Sequence, residues 1–357
     1  MEMNFIKKRV WSSFILAILF VVKPSYPDSR LKMQKIEMDE KETGFYKAIT
    51  DMAITNDKLI IADFFSNQVL CYKYLGAKAV FSNLIGRPGQ GPGDIQKPIA
   101  LSAFKDRVAI RDQENVSIFS TDGEFFYKFK QFSPIIDHLM NDSRIYYLSS
   151  NPSSKFLISV LSLNGELLSQ ILEKRLWVNS GELTALNSFR ERLVYDGHIW
   201  SDGKYLIYVS RYFGIIEKYS LSGELLLKRD ISEDLGNNAR TKSAVNRRTL
   251  IQSRELKLDK KGSPGCYELF LDSHLDGEYL YLLMSQYDLL NKKPINKVDI
   301  RRINTSDLKL SASYSVELKS KERSSELCVR TVNHEPIFVV DVQSETGLEL
   351  YELYIDK

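Results

Sequence analysis

The chain has 357 residues, 43% of them hydrophobic and 27% charged, with a formal net charge of +3, values that exclude a largely disordered chain. Three cysteines are too few for a disulfide scaffold, and a single apolar run near membrane length excludes a polytopic membrane protein. The 19 Tyr and 18 Phe sit beside Val and Ile in short runs, which favours strands over long helices and an all-β chain.

Lys7, Lys8 and Arg9 precede an apolar stretch at 10–22 that is broken by Ser12 and Ser13 and ended by Lys23, Pro24 and Pro27. This is the order of a secretory signal, and the stretch is short of the roughly 20 residues a transmembrane helix needs. Residues 1–27 are therefore read as a signal peptide. An uncleaved N-terminal anchor is the second reading, because no small-x-small site follows the stretch. Lipid attachment is excluded, since the segment has no cysteine. Taking Lys7, Lys8, Arg9 and Lys23 from 49 basic residues and Glu2 from 46 acidic ones leaves 45 of each. The remaining chain is neutral, so nothing supports nucleic-acid binding. The expected compartment is the periplasm, the surface or the medium. Cys71, Cys266 and Cys328 lie too far apart for a CxxC motif and read as small buried hydrophobes.

From residue 28 to 357 one pattern recurs, a strand ending near Asp or Ser, a second strand after a polar turn, then a turn with glycine and a last strand. The first copy has Ile60-Ile61-Ala62-Asp63, Val69-Leu70-Cys71-Tyr72 and Gly76. The second has Ile110-Arg111-Asp112, Val116-Ser117-Ile118-Phe119 and Asp122-Gly123-Glu124. The third turns at Asn164-Gly165-Glu166 and the fourth at Ser222-Gly223-Glu224, where Gly accepts the positive φ of a tight hairpin. A fifth copy turns at Thr305-Ser306-Asp307 without glycine. The sixth, with Ile337-Phe338-Val339-Val340-Asp341 and Leu348-Glu349-Leu350-Tyr351, runs out of chain. Units of about 40–50 residues with four short strands are the grammar of propeller blades. The sequence predicts a six-bladed β-propeller over 28–357, in which the spare strand at 33–38 supplies the missing edge of the last blade. WD40 and kelch signatures are absent.

The segment Ile85-Gly86-Arg87-Pro88-Gly89-Gln90-Gly91-Pro92-Gly93-Asp94-Ile95-Gln96-Lys97-Pro98 joins the first two copies. With Ile60-Ile61-Ala62-Asp63 and Gly76 before it, it resembles the loop of the bacterial exported six-bladed propeller family related to NHL-repeat proteins, G-x-x-G-x-G-P-G-E-[Phe/Tyr]. Asp94 and Ile95 stand where that family has Glu and an aromatic. The resemblance implies fold and export, and no activity. Read from its residues the loop is structural: Gly86, Gly89, Gly91 and Gly93 allow close turns, and Pro92 and Pro98 stiffen it. A phosphate cradle would need a following Gly-Lys-Ser/Thr and a helix, and neither is present.

In a propeller the innermost strands line a channel, so polar residues there are the first candidates for a binding site. These are Asp51, Asp137 and His138, and Asp272 and His274. Six-bladed calcium lactonases use channel carboxylates and histidines, which makes calcium the one ion to consider and a lactonase-like hydrolase or lyase the alternative function. The plainer reading is that these residues cap turns or face water. His198 and His334 fall in turn-like contexts. Residues 231–262 interrupt the rhythm, and the spacing of Val245, Leu250, Ile251 and Leu256 predicts a short helix with a basic face. No residue set reads as catalytic, and no resident cofactor is expected. The function expected is a monomeric scaffold that binds a protein, peptide or glycan through one face of the disc.

Overall fold

The computed structural model describes residues 28–38, 48–131, 135–149, 154–174, 195–231, 268–288, 293–345 and 347–356. The predicted helix within 231–262 lies outside the described residues after Ile231, as do Cys266 and the segment 1–27. The named elements are all β-strands. They form successive antiparallel units whose strands pair in sequence order. Unit 49–85 runs Ile49–Thr55, Lys58–Asp63, Gln68–Tyr74 and Lys78–Ile85. The units 100–130, 135–173 and 197–230 repeat this order, as does 270–317, where Tyr287–Asp288 and Lys293–Pro294 form a small hairpin between its second and third main strands.

The second strand of each unit explains why the sequence reads as continuous apolar runs. Alternate side chains of a strand point to opposite faces, and here both faces are covered. Leu59 and Ile61 pack with Tyr72, Val339 and Leu350 in one cluster, while Ile60 and Ala62 pack with Val108 and Ile110 in another. The other clusters follow the same rule, each filling the space between two consecutive units. The first strands of the units touch in order, 49–55 with 100–104, then 135–140, 197–201, 270–276 and 327–332, and the last touches the first.

The unit 327–355 has three strands of its own, Leu327–Val332, Glu335–Ser344 and Gly347–Ile355. The segment Asp28–Lys35 pairs antiparallel with the last of them, from Leu31 opposite Ile355 to Lys35 opposite Tyr351. Its first residues also run parallel to Ser313–Ser315 of unit 270–317, and Glu37–Met38 run parallel to Lys78 and Ala79. Residues 28–38 thus touch three units, and Ile36 is fully buried among Tyr74, Val339 and Leu350.

The hairpins between third and fourth strands share one construction. Ser120 N–H donates to Glu124 O at 2.8 Å, Gly123 N–H to Ser120 O at 3.0 Å and Glu124 N–H to Ser120 Oγ at 3.0 Å. Ser162 with Gly165 and Glu166, and Ser220 with Gly223 and Glu224, repeat the set. The three glycines have φ of 90–94°, a region costly to a residue with a Cβ. Each also lies against the outer strand of the preceding unit. A Cβ on Gly165 would sit 2.4 Å from Phe129 Cγ.

A candidate binding cavity ringed by the inner strands

Asp51, Asp137 and Asp272 occupy the third position of their strands, in units 49–85, 135–173 and 270–317. Beside each the register to the second strand shifts, between Ile49 and Asp51, Ile135 and Asp137, and Phe270 and Asp272. Such a bulge re-aims one side chain and frees main-chain groups from the ladder. Each carboxylate accepts from one N–H of its own strand and one from the first strand of the next unit. Asp51 Oδ1 accepts from Met52 N–H at 2.7 Å and Oδ2 from Leu101 N–H of the next unit at 2.6 Å. Asp137 accepts from His138 N–H at 2.8 Å and Ile199 N–H at 2.9 Å, and Asp272 from Ser273 N–H and Leu327 N–H, both at 2.7 Å. The aspartates neither cap turns nor simply face water. They clasp alternate units to their successors.

Other groups link two of the remaining pairs. Met140 N–H donates to Ser102 Oγ at 2.7 Å, and Trp200 Nε1–H to Ser273 Oγ at 2.8 Å. Arg111, at the end of a second strand, reaches into unit 135–173 and donates to Ile135 O at 2.6 Å and Ile136 O at 3.3 Å.

The inner strands surround a cavity of about 420 Å³, a volume in the range of small-molecule sites. Every one of the expected residues Asp51, Asp137, His138, Asp272 and His274 lines it. So do residues that the sequence did not single out, chiefly His198, Arg211 and Glu326. His198 requires a correction. It lies within the strand Gly197–Ser201 and not in a turn, with its Nδ1 3.8 Å from Asp137 Oδ2 and 3.9 Å from Asp272 Oδ1. His334 does occupy a turn, with φ of 68°.

Arg211 fixes the state of His198. A guanidinium only donates, so its Nη2, 2.8 Å from His198 Nε2, meets an unprotonated nitrogen. The imidazole proton therefore sits on Nδ1, on the side of the two aspartates. Burial, aided by Arg211, holds His198 well below its usual pKa, so the ring is neutral. Burial also lowers His138 to about 3 and His274 to about 4. His138 Nε2 lies 3.2 Å from Ala109 O, and since a carbonyl only accepts, that nitrogen carries the proton.

The carboxyl groups shift the other way. Burial raises Asp137 to about 6 and Asp272 to about 7 against the bonds from main-chain N–H groups. Burial, reinforced by the charge of Asp272, pushes Asp51 up, and burial with the charges of Asp272 and Asp51 does the same to Glu326. Like charges in a low-dielectric pocket disfavour ionisation of one another. The donor set does not fit the calcium ion considered from the sequence. Among the described residues no group of three His, Cys, Asp or Glu side chains is placed to hold a metal ion.

The glycine-rich loop lies away from this cavity. Arg87–Pro88 pair with Asp94–Ile95, and the loop amides are used internally, Gly91 N–H by Asp94 Oδ2 at 2.8 Å, Gly89 N–H by Ile95 O and Asp94 N–H by Gly91 O. Lys128 Nζ ties it down through Gly91 O at 3.1 Å and Asp94 O at 2.9 Å. Gly86 and Gly93 have φ of 73° and 76°, and a Cβ on Gly86 would meet Ile95 Cδ1 at 2.3 Å.

Comparison with solved structures decides the fold. A Bacteroides fragilis protein named as exported superposes with a TM-score of 0.54 at 14% identity, over 94% of this chain and 98% of its own. A DUF4221 family member from Bacteroides vulgatus gives 0.51 at 10% identity, over 93% and 98%. The arrangement is a β-propeller. At such identities the likeness concerns the fold alone. No protein-family model matches the chain, and no curated protein matches it in sequence. The cavity is thus the propeller's own evidence for function.

Proposed function

We propose that the protein is an exported six-bladed β-propeller related to NHL-repeat proteins, acting as a monomeric binding scaffold for a protein, peptide or glycan at the cavity end of the disc. The order of the units supports six blades, with Asp28–Lys35 read as the outer strand of the last. The antiparallel pairing of Leu31 with Ile355 and the contact between the strands 327–332 and 49–55 support a closed ring. Export is supported by the basic and then apolar order of residues 7–22, read as a signal peptide or N-terminal anchor. The loop with Gly86, Gly89, Gly91, Pro92, Gly93 and Pro98 is a joint between blades.

One observation carries the scaffold reading over the lactonase-like one. The groups a hydrolase would use as ligands and bases are engaged in holding strands: the three aspartates clasp main-chain N–H groups, His138 is tied to Ala109 O, and His198 to Arg211. A base must be free to take a proton in a substrate complex, and the unprotonated nitrogen of His198 is already taken up by Arg211.

The test uses the full chain, purified from its exporting host, on peptide and glycan arrays and on lactone substrates. Binding that is lost in Glu326→Lys with an unchanged melting temperature supports the reading. Binding indifferent to that change, or lactone turnover abolished by His198→Ala, overturns it.

A further inference from the structure

The cavity wall carries both signs of charge. Arg111 and Arg211 bring guanidiniums to it, and Asp51, Asp137, Asp272 and Glu326 bring carboxyl groups. Burial, with the effect of the acids on one another, holds Asp51, Asp272 and Glu326 toward the neutral form. A buried charge has to be answered by its surroundings. A cation here would meet the guanidiniums, and an anion the carboxyl oxygens, so the wall favours an occupant without net charge.

His198 shows what that occupant must do. Its Nδ1–H lies on the inner strand between those of Asp137 and Asp272 and has no acceptor within hydrogen-bond reach among the described residues: Asp137 Oδ2 stands at 3.8 Å and Asp272 Oδ1 at 3.9 Å. Each of these oxygens accepts one main-chain N–H and keeps a lone pair. A donor thus stands between two acceptors, all three short of contact. A hydroxyl group answers such a set, because one oxygen accepts from the N–H and donates to a carboxyl oxygen. Two residues further along the strands, on the same face, come Ala53, Ala103, Leu139, Trp200 and His274, which also line the cavity. The Trp200 and His274 rings lie 5.3 Å apart at 52°. Trp200 spends its Nε1–H on Ser273 Oγ, so it offers ring surface alone. A hydrogen-bonding tier therefore adjoins an apolar and aromatic one.

We propose that the cavity is a receptor site for a neutral sugar, whose hydroxyls enter between His198 and the flanking aspartates while a C–H face of its ring rests on Trp200. The inference rests on the scaffold reading and selects the glycan from its three ligand classes. A pyranose carries hydroxyls around its rim and C–H groups on its faces, without net charge, which matches both tiers. A hydrocarbon would leave the His198 N–H unanswered in a water-poor site. The sugar arrives either free or as the terminal unit of a chain.

The experiment is titration of the full chain, by calorimetry and saturation-transfer NMR, with the methyl glycosides of glucose, galactose, mannose and N-acetylglucosamine and with the corresponding trisaccharides. Agmatine and propionate are the charged controls. His198→Phe removes the N–H donor. Ala103→Phe fills the second tier and removes no side-chain hydrogen bond, so it keeps the inference testable if the first variant fails to fold. The expected result is saturable binding of at least one sugar at millimolar concentration or below, weakened about tenfold in each folded variant, with no saturable response to either charged control. A glycoside that binds while its trisaccharide does not assigns a free sugar, and binding of the trisaccharide assigns a chain end. Absence of saturable binding by every sugar, sugar binding unchanged in a folded variant, or saturation by agmatine or propionate overturns it. If the sugars fail while peptide-array binding still depends on Glu326, the sugar inference falls and the scaffold reading stands; if both fail, both fall.

Discussion

A carboxylate that accepts one N–H from its own strand and one from the next blade joins two sheets through a single side chain. Removing the Asp51 carboxylate would leave Met52 N–H and Leu101 N–H without acceptors in a half-buried site. We expect Asp51→Ala to cost about 1–3 kcal/mol, less than two bare donors alone would suggest because a buried charge is relieved as well; urea unfolding measures it. Titration gives a second expectation. Asp272 holds its proton up to about 7 in the fold against 3.8 for an ordinary aspartate. The native state therefore binds the proton more tightly, and this contribution is full below 3.8 and lost as pH rises through about 7. The three cavity histidines act oppositely, since their lowered values make stability fall as pH drops below 6.5. Asp272→Asn separates the two effects. Parent stability relative to the variant should decline by up to about 1 kcal/mol per pH unit between 3.8 and 7, and a flat difference would contradict the assignment. The position of these aspartates was legible in the sequence as the third residue of three apolar strands. Their role was not, because a bulge and a neighbouring blade's N–H leave no trace in a local pattern. His198 was missed for the same reason: flanking Gly197 and Asp196 resemble a turn, while Arg211 and the two aspartates that define its setting come from elsewhere.

At the level of single elements, the Ser-x-x-Gly-Glu hairpins show how much one spacing can specify. Serine receives the Glu N–H, glycine takes the left-handed turn, and the turn abuts the preceding blade. Gly165 carries both penalties, a φ of 90° and an aromatic ring where a Cβ would go. Gly165→Ala is expected to cost about 1–2 kcal/mol from the backbone alone and more from displacement of Phe129. Gly203, with φ of 84° and nothing within 4 Å of its missing Cβ, is the control that pays only the backbone term. Comparable melting losses in both would show that the contact with Phe129 is inconsequential. The glycine and glutamate were readable as a turn signal. The serine three residues before the glycine completes the motif and was the signal left unread. In the turn after Ile303 the left-handed position falls to Leu308, whose side chain is fully buried. Core packing there overrides the local preference that a glycine would meet, which is why that turn was recognisable only from its Thr-Ser-Asp composition.

For the molecule as a whole, stability rests on cores that lie between blades, so every blade depends on two neighbours. Deleting residues 28–38 removes buried Leu31 and Ile36 and uncovers the edge of Gly347–Ile355. The expected outcome is a lower melting temperature with concentration-dependent association, seen by light scattering. A monomeric truncation with the parent's melting temperature would contradict it. The architecture was legible because both faces of each second strand are covered, which writes apolar runs at a repeating interval. The cavity's chemistry was legible only in part, since a pocket assembled from residues hundreds of positions apart has no sequence period of its own.

The segment 28–38 also sets an order of events. Its principal partners lie at 351–355, far along the chain, and are synthesised long after it. Until those residues have been made, this strand lacks its antiparallel partner, and the sheet of 327–355 cannot acquire its pairing with Asp28–Lys35 from local sequence. Contacts of such long separation form late and slow the final step. The pairing thus acts as a completion signal: Asp28–Lys35 finds its antiparallel partner only once residues 351–355 are present, and a product cut short before them keeps an unpaired edge that proteases can recognise.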